Sequence, residues 1–241
     1  AYGPDFVNNS FSGDAGGQLV HRKIIRPTAD GISLEGERPA DERGFEFAAS
    51  KDTWVRVVNF ANAPDGCLNV IDMYREVIEH PWSIPDEIKK YIDLNNGNDR
   101  GRVYRIVPDG WKAGADRRGK GVNLADMSTE ELVKTLGHPN GWHRDTAQRL
   151  LYERNDKAAI PLLEKVLEAR SDGILPSHDG KMPSLLGVTS LAKLHALGAL
   201  KGFGPIKNSI LIAALNDSDE HVREAALYCC GETFSGSVPP S

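Results

Sequence analysis

The sequence predicts a mixed, two-part chain: antiparallel β structure followed by an α-helical solenoid of paired helices. Three observations carry that expectation. Residues 1–107 hold short apolar and polar alternations broken by Asp-Gly turns, the period-two signature of strands. From Leu124 the apolar residues recur at helical spacing instead. Within that helical half a pattern returns: Leu136 and Leu215 are 79 positions apart, as are Arg144 and Arg223. The expected division is 1–108 for the β part, 109–123 for a linker, 124–235 for the helices and 236–241 for a tail.

The first strand expected is Gln18–Arg26, closed by Pro27. Asp30-Gly31 turns into Ile32–Glu37, which alternates as a half-buried strand would. Trp54–Phe60 follows and leads to Ala63-Pro64-Asp65-Gly66, where Pro presets φ and Gly supplies the conformation that other residues resist. Cys67–Asp72 pairs across that turn, and Arg102–Val107 is the last strand. Pro85–Ile92 interrupts the series with proline and acids in a first turn, so it reads as a short inserted helix. Such a meander fits a sandwich, a barrel or a propeller.

Gly110, Gly114, Gly119 and Gly121, interleaved with basic residues, read as a flexible connector or as a contact for an anionic partner. Ser128-Thr129-Glu130-Glu131 is a capping box that opens a helix through Leu136. Helices are further expected over His143–Arg154, Ala158–Ala169, Val188–Leu200, Asn208–Leu215 and His221–Cys230, with a Gly/Pro/Ser-rich insertion at Ser171–Gly187. Leucines on the first helix, Asp or Pro at the turn and Arg-x-x-Ala on the second resemble HEAT repeats. The spacing is two units of a repeat of about 40 residues.

Composition narrows the function. The chain has 241 residues with a net charge of -5, which argues against a protein built mainly to bind nucleic acid. No apolar run reaches the roughly 18 residues that a membrane-spanning helix needs. Three cysteines, two of them adjacent, make no disulfide framework, and neither C-x-x-C nor the haem-attachment C-x-x-C-H occurs. The opening Ala1-Tyr2-Gly3 has no Met, basic segment or apolar segment, as in a processed product or a piece of a longer polypeptide.

The densest polar segment is Asp72–Trp82. A histidine beside a carboxylate, His80 after Glu79, has the make-up of a general base. The other reading pairs Arg75 with Glu79 and lets His80 cap a turn before Pro81. Arg56, in apolar surroundings, is either paired structurally or faces a pocket. Asp93–Asp99 sets oxygen side chains on alternate residues, as calcium loops do, but lacks the glycine and the closing acid of such a loop. Arg100 and Arg102 could hold a carboxylate-rich ligand bidentately or pair with Asp93 or Asp99. The histidines of the helical half, His138, His143, His178, His195 and His221, show no metal-ligand spacing and read as surface or packing residues. Gly202-Phe203-Gly204 follows a helix and so is no dinucleotide loop. No P-loop or G-x-S-x-G occurs.

Asn59-Phe60-Ala61-Asn62-Ala63-Pro64-Asp65-Gly66-Cys67-Leu68 and Asn69-Val70-Ile71-Asp72-Met73-Tyr74-Arg75-Glu76-Val77-Ile78-Glu79-His80-Pro81, with Gly97–Ile106, resemble a bacterial membrane-bound dehydrogenase family. That family is similar to the sorbosone and soluble quinoprotein glucose dehydrogenase propellers. Gly17–Arg22, Trp54–Asn59 and His138–Leu151 match its usual runs too, while Val55, Asn69 and His143 depart from it. The resemblance implies an exported or periplasmic protein carrying a propeller, HEAT-like repeats and a c-type haem module, of which this chain holds partial propeller blades and the repeats. It further implies pyrroloquinoline quinone and calcium as cofactors, and oxidation of a sugar or alcohol with electrons leaving to a cytochrome module outside the chain. His80 and His21 are then the base candidates, and Arg56, Asp72, Tyr74, Arg75 and Arg100 the cofactor-binding ones. The other reading is a non-catalytic scaffold for polysaccharide or protein. Partial blades would also expose apolar residues such as Val57, Val70 and Ile71.

Overall fold

The computed structural model describes residues 2–110, 123–169 and 189–235. The insertion expected at 171–187, the tail at 236–241 and nearly all of the linker at 109–123 lie outside the described residues. The chain divides into two compact units, 1–116 and 117–241.

The first unit holds two antiparallel sheets. In one, β2 (Leu19–Pro27) is central and pairs along one edge with β1 (Asn9–Asp14), from Asn9 opposite Ile24 to Asp14 opposite Leu19. Its other edge carries β3 (Leu34–Glu37) and the two-residue β4 (Ala48–Ala49) end to end. The second sheet is the meander β5 (Val57–Asn62), β6 (Leu68–Asp72) and β7 (Arg102–Ile106). The turn joining β5 to β6 closes as its residues dictate. Gly66 takes φ +80°, its N–H donates to Ala63 O, and Asp65 accepts from the Cys67 N–H.

Val20, Val57 and Val70 form a small core between the sheets, flanked by Phe11, Phe47, Phe60 and Ile106. Gly13 on β1 marks a close approach of the two sheets. A Cβ there would lie 2.5 Å from Val57 Cγ1, so only glycine fits.

Three sequence expectations need correction. Val57 and Val70 are buried rather than exposed, because the two sheets cover one another. Ile71 pairs with Asn59 and Val103 on the opposite face and is partly buried. Ile32–Glu37, expected as a half-buried strand, is exposed throughout, and its strand portion Leu34–Glu37 lies at the edge of the sheet. The helix expected over Pro85–Ile92 is the single turn α1 (Asp86–Lys89). The sequence reading also missed β1, whose Asn-Ser-Phe-Ser-Gly-Asp run has one large apolar residue, and the very short β4.

The second unit contains six helices among the described residues, in three consecutive pairs: α2 (Thr129–Thr135) with α3 (Gly141–Arg154), α4 (Ala159–Glu168) with α5 (Ser190–Phe203), and α6 (Asn208–Leu215) with α7 (Glu220–Ser235). The capping box forms as read, Ser128 and Glu131 satisfying each other's backbone N–H groups. Asn140 and Thr189 cap α3 and α5, and Asn155 ends α3 in the left-handed conformation. Leu132, Leu136, Leu151, Leu163, Leu197 and Val222 fill the core.

The repeat holds down to single atoms. Arg144 Nη1 donates to the carbonyls of His138 and Pro139 at 2.7 and 2.9 Å. Arg223 Nη1 donates to those of Asp217 and Ser218, both at 2.9 Å. Each arginine closes the turn leading into its own helix. In the middle pair the matching residue is Lys193, buried against Asp217 of the next turn. In the same register, the residue after the shared alanine is Gln148, then Leu197, then Leu227. Leu197 is 1% exposed and Leu227 62%. The chain thus joins antiparallel sheets to a helical region with HEAT character.

Candidate functional site

The start of β5 lies beside the end of β6, since Val57 is opposite Asp72. Asp72 is 1% exposed, and its Oδ1 accepts from the backbone N–H groups of Arg56 and Tyr74, each at 2.8 Å. The second of these bonds goes with a left-handed residue at Tyr74, φ +51°. Oδ2 is buried with no hydrogen-bond partner among the described residues. The nearby Tyr104 hydroxyl has its pKa pushed up by burial and, against the opposing pull of Arg102, by Asp72.

Arg56 spends its guanidinium on main-chain carbonyls. Nε donates to Arg75 O at 2.9 Å, Nη1 to Ala15 O at 2.9 Å and Nη2 to Glu76 O at 2.8 Å. It therefore ties the β1–β2 turn to the segment after β6. Of the two readings open from the sequence, the paired one describes its geometry.

Tyr74 donates its hydroxyl proton to Asp52 Oδ2 at 2.8 Å and stacks its ring beneath the Arg102 guanidinium, 3.7 Å from the ring centre. Asp52 is held below the usual carboxylate range by the Trp54 N–H first and by the Tyr74 hydroxyl second. The Arg75 side chain reaches Asn95 O at 3.4 Å, and Asn96 Nδ2 donates to Glu76 Oε2 at 2.6 Å. These bonds anchor the Asp93–Arg100 loop. Gly97 turns there at φ +86°, where a Cβ would collide with Tyr74 O. With Trp54, this loop lines a polar cleft of about 230 Å³ whose rim includes Arg100. Arg100 lies 3.7 Å from Asp99, both side chains exposed.

The two histidine candidates have other surroundings. His80 Nδ1 accepts from the Trp82 N–H and caps the turn Pro81–Ser83. His21 Nδ1 lies 2.7 Å from Glu46 Oε2 and 3.1 Å from Arg38 Nη2 on the first sheet. Arg38 first, then His21, hold the Glu46 carboxyl low.

Arg56, Asp72, Tyr74 and Arg75 thus meet in one hydrogen-bonded joint, Arg100 stands at the cleft, and His21 and His80 belong to neither. Asp52, Glu76 and Asn96 complete the joint and were missed, while Arg102, expected to hold a carboxylate, stacks on the Tyr74 ring. The signal for Asp52 was legible: an acid two residues before Trp54 is an Asx turn.

A planar quinone carrying carboxylates requires cationic donors aimed into a slot, and calcium requires converging oxygens. The Arg56 guanidinium ends on carbonyls, Arg75 on Asn95, and no group of three or more His, Cys, Asp or Glu among the described residues could hold a metal ion. The candidates as placed do not fit that cofactor pair by themselves.

In the helical unit His138 and His143 stack with ring centres 3.9 Å apart. Burial, then His143, pushes the His138 pKa down to about 4. Burial, then Arg144, lowers that of His195. Both groups therefore bind protons more readily unfolded, near 6.5, than folded, so stability falls as pH drops through the window from about 6.5 towards 4. Allowing for solvent screening, the expected loss is about 1–3 kcal/mol. Much of it should fall above pH 5, before the carboxylates titrate. Urea unfolding of the helical unit at stepped pH checks this. A midpoint constant between about pH 7 and 5 would contradict it, and His143→Val, which borrows the residue of the matching position Val222, should flatten the slope.

A family model described as a domain of unknown function, DUF7133, matches residues 1–110. No curated protein and no solved structure matches the chain. No helix among the described residues is long and apolar enough to cross a membrane. A HEAT repeat model matches residues 209–236, which span α6 and α7, the pair whose Arg223 turn reproduces that of Arg144.

Proposed function

We propose that this chain is the supporting and docking part of an exported, quinoprotein-like dehydrogenase that oxidises a sugar or alcohol. In this reading its two sheets are partial propeller blades, and the quinone, any calcium and the reacting groups belong to other blades. The helical unit holds the partner, a c-type cytochrome module or another protein. The observation that carries the supporting role is the engagement of Arg56: all three guanidinium nitrogens end on main-chain carbonyls of three residues. An arginine so used positions backbone rather than substrate.

The test is dye-linked oxidation of a panel of aldoses and alcohols by the longest natural polypeptide containing this chain, with and without quinone and calcium. Oxidation that survives His80→Ala, His21→Ala and Arg100→Ala with kcat within about threefold is expected. A fall in kcat of about a hundredfold or more in a folded variant would make that residue a reacting group and overturn the supporting role. Inactivity in every combination would overturn the dehydrogenase itself and leave the scaffold.

A further inference from the structure

The seam between α3 and α5 departs from the repeat in a way that stacking does not require. At the position after the shared alanine the second and third pairs carry Leu197 and Leu227, whereas the first carries Gln148. Opposite it stands Gly198, where a Cβ would come 2.7 Å from Gln148 Nε2. One turn on, Gly202 makes the same allowance for the Tyr152 ring. Instead of an apolar seam there is a groove of about 290 Å³, lined by Asp145, Gln148, Arg149 and Tyr152 facing Gly198 and Ala199.

The carboxamide in this groove is oriented by a relay. Arg144, fixed by the two turn carbonyls, donates Nε–H to His195 Nε2 at 3.2 Å. With Nε2 accepting, the neutral ring carries its proton on Nδ1 and donates it to Gln148 Oε1 at 2.7 Å. The oxygen of Gln148 is thereby committed, and its NH₂ is the end left to the groove. Asp145 lies one helical turn away on the same face, an acceptor with a 76% exposed side chain. A carboxamide donor beside a carboxylate acceptor matches a peptide unit, which offers C=O and N–H together. At the far end of the groove the exposed Tyr152 ring packs beside Gly202 and offers an apolar wall.

We propose that the α3–α5 groove binds an extended peptide segment, Gln148 donating to a main-chain carbonyl and Tyr152 walling the adjoining side chain. This binding does not depend on the dehydrogenase reading. It tolerates many side chains, since its polar contacts go to main chain.

The test is selection from a random-peptide display library on the 241-residue chain, followed by affinity measurement on Gln148→Leu. That variant installs the residue of the other two pairs but removes the acceptor of the His195 Nδ1–H, so its melting midpoint is measured to show that it folds. Enriched peptides should lose about tenfold in affinity on Gln148→Leu and should shift the Gln148 side-chain amide resonances. Gly198→Ala, which fills the groove, should weaken them too and serves if Gln148→Leu is unstable. Peptides binding both variants as well as the parent, an absence of enriched peptides, or the same resonances shifting with cello-oligosaccharides instead would each overturn the proposal.

Discussion

Asp217→Ala is expected to cost the helical unit about 3–5 kcal/mol, read as a lowered urea midpoint. Lys193 Nζ lies 2.5 Å from Asp217 Oδ2, and the two side chains are only 3% and 7% exposed. Removing the carboxylate strands an ammonium in the leucine core of α5, where it must be buried unpaired or drag water inward. Asp217 Oδ1 also accepts from the Asp219 N–H, so Ala loosens the turn before α7 as well. Asp217→Asn should cost less, because it keeps an acceptor. Pairing Asp217→Ala with Lys193→Met removes the stranded charge and should recover most of the loss. A single variant within about 1 kcal/mol of the parent, or a double variant no better than the single, would contradict this account.

The β unit has its counterpart in Arg56→Met, expected to destabilise that unit by a similar 3–5 kcal/mol. Three carbonyls lose charge-assisted donors at once, in positions that join the β1–β2 turn to residues 75 and 76. Arg56→Lys should rescue less than half, since one ammonium cannot reproduce a planar fork on three acceptors. Hydrogen exchange is the direct reading: protection should fall at Gly13–Gln18 and at Tyr74–Glu76 together. Loss at one segment with the other unchanged would show that Arg56 does not couple them.

The helices were legible because their signals are local. Ser128 and Glu131 name their own cap, and the 79-residue echo of Arg144 in Arg223 foretold carbonyl contacts that only coordinates reveal. The strands with β-branched runs were legible too. β1 was not, because Gly13 and the serines around Phe11 serve a close approach of sheets rather than burial of their own side chains. The candidate site was half legible. Arg56 was singled out as costly to bury and Asp72 as a cofactor-binding candidate, but their partners are backbone carbonyls and N–H groups, which no sequence spells out. His195 passed as a packing residue because its partners, Arg144 and Gln148, lie 51 and 47 positions away. Reading down the three pairs for the one position that is not leucine would have found Gln148.

The turn clamps carry a consequence for how such a chain changes over generations. Each uses a single nitrogen, Nη1, and acceptors from its own turn. The joint is therefore inherited whole whenever a helix pair is copied, and a new copy needs no adjustment in its neighbour to bend correctly. The rest of the guanidinium is not needed for the bend, and in the first pair Nε has been recruited to His195. Duplication can thus lengthen the stack while each copy is left at liberty to acquire a different neighbour, so that architecture and recognition diverge on separate schedules.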